Sequence, residues 1–584
     1  MYKWTLTLCL LVALASCRKA APVSGTGSLK NSQDPLGLSK KQGGDDPQVA
    51  LIPGAEDIPT LIDYQLPNPY TPQLMRLVYQ QVLGYDYIPP VTNLYVRFKP
   101  NDVGQLKQLT DLADAQGFIL SDEPMDYHIV QEGDYYQDPS IPVEQITWYY
   151  AVVAAGFSPP SGFTYQVLSP LHLPDNELIE ARAELLAGLN ADGDNYSGGR
   201  VSAGKLPAPD QECPDGYHSV NGICVADNPP PPPPASSQIK VYDTQLPYGS
   251  TNDHPLRGAR IIARRWFKSE ITYTDNNGNF TLNKKFRNKI KVFVEMKNNL
   301  ANIRSIRGVR VWQTMNTVKK KIGVFAAISI PSIEYTFRQG GGISSAQNRY
   351  WAAATTLNTV QEHRDYAAQL GFLPPPTGLN IYLTVSANKG GAGSTPLFNK
   401  RRILGGVPAS INNFLASSPT AITGGLAALN PVFAAANVDV SYDYNITDQY
   451  TPIAYSDRVK ETLYHELSHA SHYSQIGDVA YKAFVDAELT EIIMNPGTSP
   501  YNPYGPGNTA TAPIIALGEA WAYHMGHYLA DIRYGTLGST QSEQRDENGL
   551  GIGFFPNGSN HTHIDVLEYF NPNLASDPFR WIPI

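Results

Sequence analysis

Residues 464–472 read Tyr-His-Glu-Leu-Ser-His-Ala-Ser-His, and no other stretch limits the fold of this chain as much. His465 and His469 are four positions apart, so in a helix both imidazoles leave one face, one turn apart, and can converge on one metal ion. Glu466 stands beside them, where its carboxylate can take a proton from a metal-activated water and pass it to a leaving group. The flanks suit a helix: Ser456 and Asp457 can cap its start, Val459, Leu463, Leu467 and Ala470 form an apolar stripe, and Gly477 can end it. With 12 His in 584 residues, chance gives this five-residue pattern in roughly one chain in a hundred. The spacing predicts a helix that binds one Zn2+.

Such a site needs a third protein ligand. The metzincin solution extends the same helix as His-x-x-Gly-x-x-His, but here the Gly place is His472 and the last His place is Gln475, which excludes it. A Glu from a second helix is the other solution. Gly518-Glu519-Ala520-Trp521-Ala522-Tyr523-His524 follows the apolar run Ile514, Ile515, Ala516 and Leu517. Here the chain resembles a gluzincin-type zinc peptidase. The resemblance covers about 70 residues and implies Glu519 as the third ligand, Glu466 as general base and a peptide or protein substrate. The 49 residues between His469 and Glu519 exceed the thermolysin-like spacing, so Glu488 and Glu491 stay open as ligands. Breakers between Met494 and Gly507 mark an insertion that accounts for the extra length. Tyr523 and His524 are candidates for stabilising an oxyanion, though a packed Tyr fits equally well. His472 is read as a solvated surface residue, with a place behind the metal ligands as the alternative.

The start of the chain combines Lys3 with an apolar run, residues 6–15, too short to span a bilayer, as in a signal peptide. Leu14-Ala15-Ser16-Cys17 resembles the lipobox of bacterial lipoproteins, which implies lipid on Cys17 as the membrane anchor and a place in the cell envelope, at the outer membrane or cell surface. Residues 1–17 are thus read as signal and lipobox, and 18–48 as a flexible tether. The net charge of -9 argues against a nucleic-acid partner.

The remaining length divides into several parts. Residues 49–205 alternate strand and helix patterns, as in a small α/β domain compatible with a prodomain or a partner-binding module. Within it Asp192-Gly193-Asp194-Asn195 lacks the remaining ligands of a calcium loop and is read as a plain loop. Residues 206–237 hold Cys213 and Cys224, read as a disulfide in an exported protein, followed by six prolines, Pro229 to Pro234, read as a stiff spacer. Residues 238–307 alternate in period two, and Pro255-Leu256-Arg257-Gly258-Ala259 with the later Thr274-Asp275-Asn276-Asn277-Gly278-Asn279-Phe280 resembles a carboxypeptidase regulatory-like β-sandwich. Residues 257–297 carry 11 Lys and Arg against Glu270, Asp275 and Glu295. This basic strip is read first as a solvated face, with an acidic glycan or an acidic neighbouring domain as partners it could take.

Residues 308–584 are read as the zinc-peptidase-like part, mainly helical with a small edge sheet. Val438, Asp439, Val440, Ser441 and Tyr442 form a strand ahead of the metal helix, and the zincin resemblance makes it a suspect for pairing with an extended substrate. His363 is read as structural, and His561 and His563 as exposed. The fold class is therefore multidomain α+β. What the resemblances imply is a lipid-anchored, extracytoplasmic zinc metallopeptidase. The competing reading is a surface-binding or adhesion lipoprotein that keeps the zincin-like part as a scaffold.

Overall fold

The computed structural model describes residues 58–189 without Glu144, 237–243, 253–305, 316–327, 332–340, 345–385, 392–400, 438–444, 456–494 and 510–534, together with short strand pairs at 17–18, 217–220, 223–226, 552–553 and 561–562. Outside the described residues lie the rest of the leader, the tether, Asp192 to Asn195, Cys213, the six prolines, the insertion after Met494 and His563.

The first segment runs β1 (Leu61–Gln65), α1 (Pro72–Leu83), β2 (Asn93–Lys99), α2 (Val103–Gln116), β3 (Tyr127–Gln131), β4 (Tyr149–Ala154), β5 (Thr164–Leu171) and α3 (Glu177–Leu186). β2 lies between β4 and β5, antiparallel to both, and its Val96 and Phe98 pack on Leu106, Leu109 and Ala113 of α2. The helices are bounded by local chemistry. Thr71, Asp102 and Asn176 accept first-turn N–H groups, while Gly84 and Gly117 close α1 and α2 in the left-handed conformation.

Two four-stranded sheets follow. β6 (Ser237–Tyr242) pairs with β7 (Asp253–Pro255), with β10 (Asn279–Phe280) and, in parallel, with β14 (Glu334–Phe337). The other sheet has the order β9 (Lys268–Tyr273), β8 (Arg260–Arg265), β11 (Lys289–Glu295), β13 (Lys319–Ala326). Alternate residues Ile239, Val241, Ile261, Ala263, Ile290, Val292 and Val294 enter one core, as period-two patterning requires. β12 (Ala301–Ser305) falls within the stretch expected to be a separate sandwich, yet it pairs in parallel with β15 (Leu379–Thr384).

β15 belongs to a mixed sheet of order β16 (Ala392–Ser394), β17 (Val440–Asp443), β15, β12, in which only β16 runs antiparallel to its neighbour; Cys17 and Arg18 lie antiparallel along the outer side of β16. The strand suspected of pairing with substrate is thus β17, an interior strand, and β16 lies between it and the outermost strand, Cys17–Arg18. The helices are α4 (Ala346–Leu370), α5 (Ser456–Met494) and α6 (Ala512–Tyr534). α4 is buried almost all round over its first four turns. Several of its polar groups find partners there: Thr356 and Thr359 donate to the carbonyls four residues back, Trp351 Nε1 donates to Tyr242 O at 2.7 Å, and Asn358 bridges to Arg257 N and Pro255 O. One core cluster runs from Ile239 through Trp351, Ile381 and Val440 to Leu467 and Phe484, so the two-sheet part and the helices share an interior.

The basic strip is the seat of the first segment. Seven of its eleven cations face acids of residues 58–189: Arg260 and Lys297 meet Asp114, Arg264 meets Glu123, Lys268 meets Glu180, Lys291 meets Glu132, and Arg265 and Arg287 meet Glu184. These seven groups thus pair with an acidic neighbour within the chain, where a solvated face was expected. At the tip of the β8–β9 hairpin Trp266 has φ 51, which is uncommon for an aromatic residue. That turn plants Phe267, 2% exposed, against Tyr95 at 4.7 Å and among Tyr70, Met75 and Val78 of the first segment.

The expected disulfide is corrected. No disulfide occurs among the described residues: Cys224 lies in a hairpin strand directly opposite Ser219, so its cross-strand neighbour is a serine, and Cys213 lies outside the described residues.

Phe267→Ala is expected to lower unfolding stability by about 3–5 kcal/mol in denaturant titration, because it empties an anchor site in the first segment's core. A loss under about 1 kcal/mol would show that the ion pairs hold the segment without it.

Candidate metal centre

Three helical pieces build the site. The first half of α5 turns Val459, Leu463, Leu467 and Ala470 into the core, as the apolar stripe requires, and leaves His465 and His469 on another face. Gly477, at φ 78 and ψ 175, breaks α5. The second half returns Phe484 and Glu488 towards the histidines, and α6 brings Glu519 across them.

His465, His469 and Glu519 are the one group of metal-ligating side chains among the described residues whose donor atoms all lie within 4.8 Å of one another, and all three are buried. The two Nε2 atoms are 3.2 Å apart. Glu519 Oε2 is 3.5 Å from His465 Nε2, and its Oε1 is 3.5 Å from His469 Nε2. Zinc bonds of about 2.0–2.2 Å at tetrahedral angles place neighbouring ligand atoms about 3.3–3.6 Å apart. The donor set, two imidazoles and a carboxylate, therefore fits one Zn2+. Electrostatics point the same way. Burial lowers the His465 imidazole, but the Glu519 carboxylate beside it outweighs this and raises it; His469 is driven well down by burial and then by His465 and His472. A divalent cation here would compensate a carboxylate with no water around it.

Close packing sets the approach of α6. A Cβ on Gly526 would stand 3.1 Å from His465 Cβ and 3.3 Å from Glu461 O, so the helices cross where α6 has no side chain. A Cβ on Gly518 would come 2.5 Å from Phe484, whose ring stacks on His469 at 5.3 Å. Trp521 Nε1 donates to Ser468 O at 3.2 Å. Ser468 Oγ donates to Tyr464 O and accepts from His363 Nε2 at 3.1 Å, which makes the buried His363 a structural group, as expected.

Glu466 is fully buried beside the ligands. Thr395 Oγ1 lies 2.9 Å from Glu466 Oε2 and 2.9 Å from Glu466 O, and Tyr481 OH donates to Thr395 O at 2.7 Å. β16 passes directly over this carboxylate: a Cβ on Gly393 would stand 2.8 Å from Glu466 Cγ and would overlap the carboxyl group. Sequence reasoning missed Gly393 and Thr395. The signal was the run Gly390-Gly391-Ala392-Gly393-Ser394-Thr395 after a strand, which allows a close backbone approach.

The other candidates separate. Glu488 is buried; burial, then Glu519 and Glu466, hold its carboxyl well above the usual range, and it hydrogen-bonds Glu519 instead of joining the ligand cluster. The side chain of Glu491 lies outside the described residues. The Tyr523 ring meets His465 edge-on at 4.5 Å, whereas His524 is buried and stacked over Tyr528 at 5.9 Å. His472 is no surface residue: it is 3% exposed, packed near Tyr481, and burial pushes it down to about 4. His561 occupies a two-residue strand opposite Gly553.

No protein-family model, curated protein or solved structure matches this chain. The site is that of a metal-dependent hydrolase in its general chemistry, on the donor set and geometry alone.

Zinc measured by mass spectrometry is expected near one per chain in the wild type, lost in Glu519→Ala and retained in Glu488→Ala. Zinc that followed Glu488 and ignored Glu519 would assign the third ligand to the wrong helix.

Proposed function

We propose that this protein is a lipid-anchored, extracytoplasmic zinc metallopeptidase. The observation that carries the reading is the convergence of His465, His469 and Glu519 at zinc-ligand spacing, with Glu466 beside them. Bound zinc would supply a Lewis acid that acidifies a water and polarises the scissile carbonyl. Glu466 takes the proton of the attacking water and delivers it to the amine nitrogen as the C–N bond breaks. Thr395, bonded to Glu466, orients that carboxylate. Tyr523 is the better placed of the two oxyanion candidates, since its ring touches a metal ligand and His524 is stacked elsewhere.

A peptide substrate would lie as an added strand on the outer side of β16, over Glu466. That edge takes an antiparallel strand, for Cys17 and Arg18 run along it. Lipid on Cys17, the anchor the lipobox resemblance implies, would draw this stretch away to the membrane and open the edge. No described helix is long and apolar enough to cross a membrane, so the anchor in this reading is the lipid. The two four-stranded sheets serve as an accessory sandwich of the carboxypeptidase regulatory-like kind, and residues 58–189 as a fixed part of the enzyme in place of a removable prodomain.

The test is cleavage of a mixed peptide library. Glu466→Gln should keep zinc near one per chain and cut the rate by about 10²–10⁴, and Gly393→Ala, which displaces the same carboxylate, should act in the same direction. Parent-rate cleavage by Glu466→Gln would make the proposed mechanism wrong.

A further inference from the structure

The two metal-bearing helices meet a second buried cluster of charge, away from the metal ligands. At the end of α6, Arg533 Nη2 donates to Asp243 Oδ2 at 3.2 Å and Tyr534 OH donates to the same oxygen at 3.0 Å. Asp243 directly follows β6 and comes from the two-sheet part. Arg533 Nε lies 3.8 Å from Glu362 Oε1 of α4. Lys460 Nζ of α5 donates to both Glu362 oxygens at 2.8 Å and stands 4.0 Å from Asp243 Oδ2. Tyr464 OH donates to Glu362 Oε2 at 2.8 Å, and the next residue is the ligand His465. His254 Nε2 accepts from Arg533 Nη2 at 3.1 Å, its imidazole kept neutral by burial and by Arg533.

Asp243 and Glu362 meet Lys460 and Arg533 here, from four separate segments of the chain, and the charge of the buried Asp457 also reaches Tyr534. Burial alone would raise the Glu362 carboxyl, but Lys460 and Arg533 hold it at about 2. The pairing order along the helices shows what the cluster controls. His469 meets Glu519, His465 meets Gly526, and Lys460 shares Glu362 and Asp243 with Arg533, so α6 runs antiparallel to α5 with the cluster at one end and the metal ligands beyond the crossing. A slip of one residue along a helix is about 1.5 Å, whereas a ligand constellation needs placement within about 0.5 Å.

We propose that Asp243 is a positioning residue for the metal centre: by holding Arg533 and Tyr534 it fixes the axial register of α6 against α5 and so brings Glu519 to His465 and His469. This rests on the zinc reading above. It makes the two-sheet part a structural component of the site, though none of its described residues is among the clustered metal ligands.

The experiment uses the full chain. Zinc affinity is measured by chelator competition, and ligand geometry by the visible spectrum of the cobalt-substituted protein, for wild type, Asp243→Asn, Tyr534→Phe and Asp365→Asn. Asp365 is the control: it pairs with Arg257 at 2.6 Å between α4 and the same two-sheet part, but at the surface. Asp243→Asn should weaken zinc about tenfold, at the lower end of what outer partners of metal ligands contribute, and alter the cobalt spectrum. Tyr534→Phe should move both readings in the same direction by less, and Asp365→Asn should leave both at the wild-type values. Wild-type affinity and spectrum in Asp243→Asn, even with a lowered melting temperature, would reduce the cluster to a stabilising role and overturn the proposal. If Asp243→Asn does not fold, Tyr534→Phe decides, and unchanged zinc affinity there overturns it. A wild type without zinc overturns the metal reading and this proposal together, whereas zinc that is lost with Glu519→Ala but indifferent to Asp243 overturns this proposal alone.

Discussion

Two imidazoles and a carboxylate within 3.5 Å of one another, all excluded from water, form the constraint on which the rest of the structure depends. Ionised groups taken out of water cost several kcal/mol each unless partners compensate them, so such a cluster persists only where a cation joins it and packing holds its members in place. The packing is visible in what is missing. Gly526, Gly518 and Gly393 each stand where any side chain would press on His465, on Phe484 behind His469, or on Glu466. Residues without side chains thus let two helices and β16 close on the motif. Trp521 then ties α6 to α5 by donating its indole N–H to the carbonyl of Ser468, one residue before the ligand His469.

Charge plays a different part in the joint between the first segment and the sheets. Lys107 with Asp111, or Arg76 with Asp86, are exposed pairs of the kind that contributes little to stability. Arg265 with Glu184 is buried on both sides, at 4% and 3% exposure, so its attraction is largely offset by desolvation. The buried pairs join α3 to β8 and β9 at two places, Arg265 with Glu184 and Lys268 with Glu180. The net attraction comes from apolar contact, with Phe267 inserted in one core and Tyr382 and Val438 in the other. A chain of net charge -9 can therefore carry a strongly basic middle, because its acidic first segment covers it.

Much of the site was legible because helices announce themselves locally. The spacing of His465 and His469, the stripe from Val459 to Ala470, the stop at Gly477 and the second helix with Glu519 all depend on neighbours within a few residues, and the structure has each of them. What failed depended on neighbours far along the chain. The strand around Val440 reads the same whether it lies at an edge or inside a sheet, and only the pairing with Ala392–Ser394 makes it interior. Cys224 lies opposite Ser219 in the register of its strand pair, which cysteine counting ignores. His472 looked like a surface residue because its burial comes from the second half of α5, through Tyr481. The basic strip looked solvated because its partners lie up to about 180 residues earlier.

The choice between Glu488 and Glu519 shows what a helix crossing decides that spacing cannot. Both carboxylates reach the same buried volume, and sequence distance favoured neither outright. Glu488 arrives on the continuation of α5, beyond the break at Gly477. Glu519 arrives on a separate helix whose nearest passage over His465 is at Gly526, two turns further on, and that crossing lays its carboxylate against both Nε2 atoms. With Glu519 in that position, Glu488 hydrogen-bonds to it and is not one of the clustered donors. The third ligand is therefore set by where α6 can come closest to α5, and this is a property of the small residue at the crossing before it is a property of either glutamate.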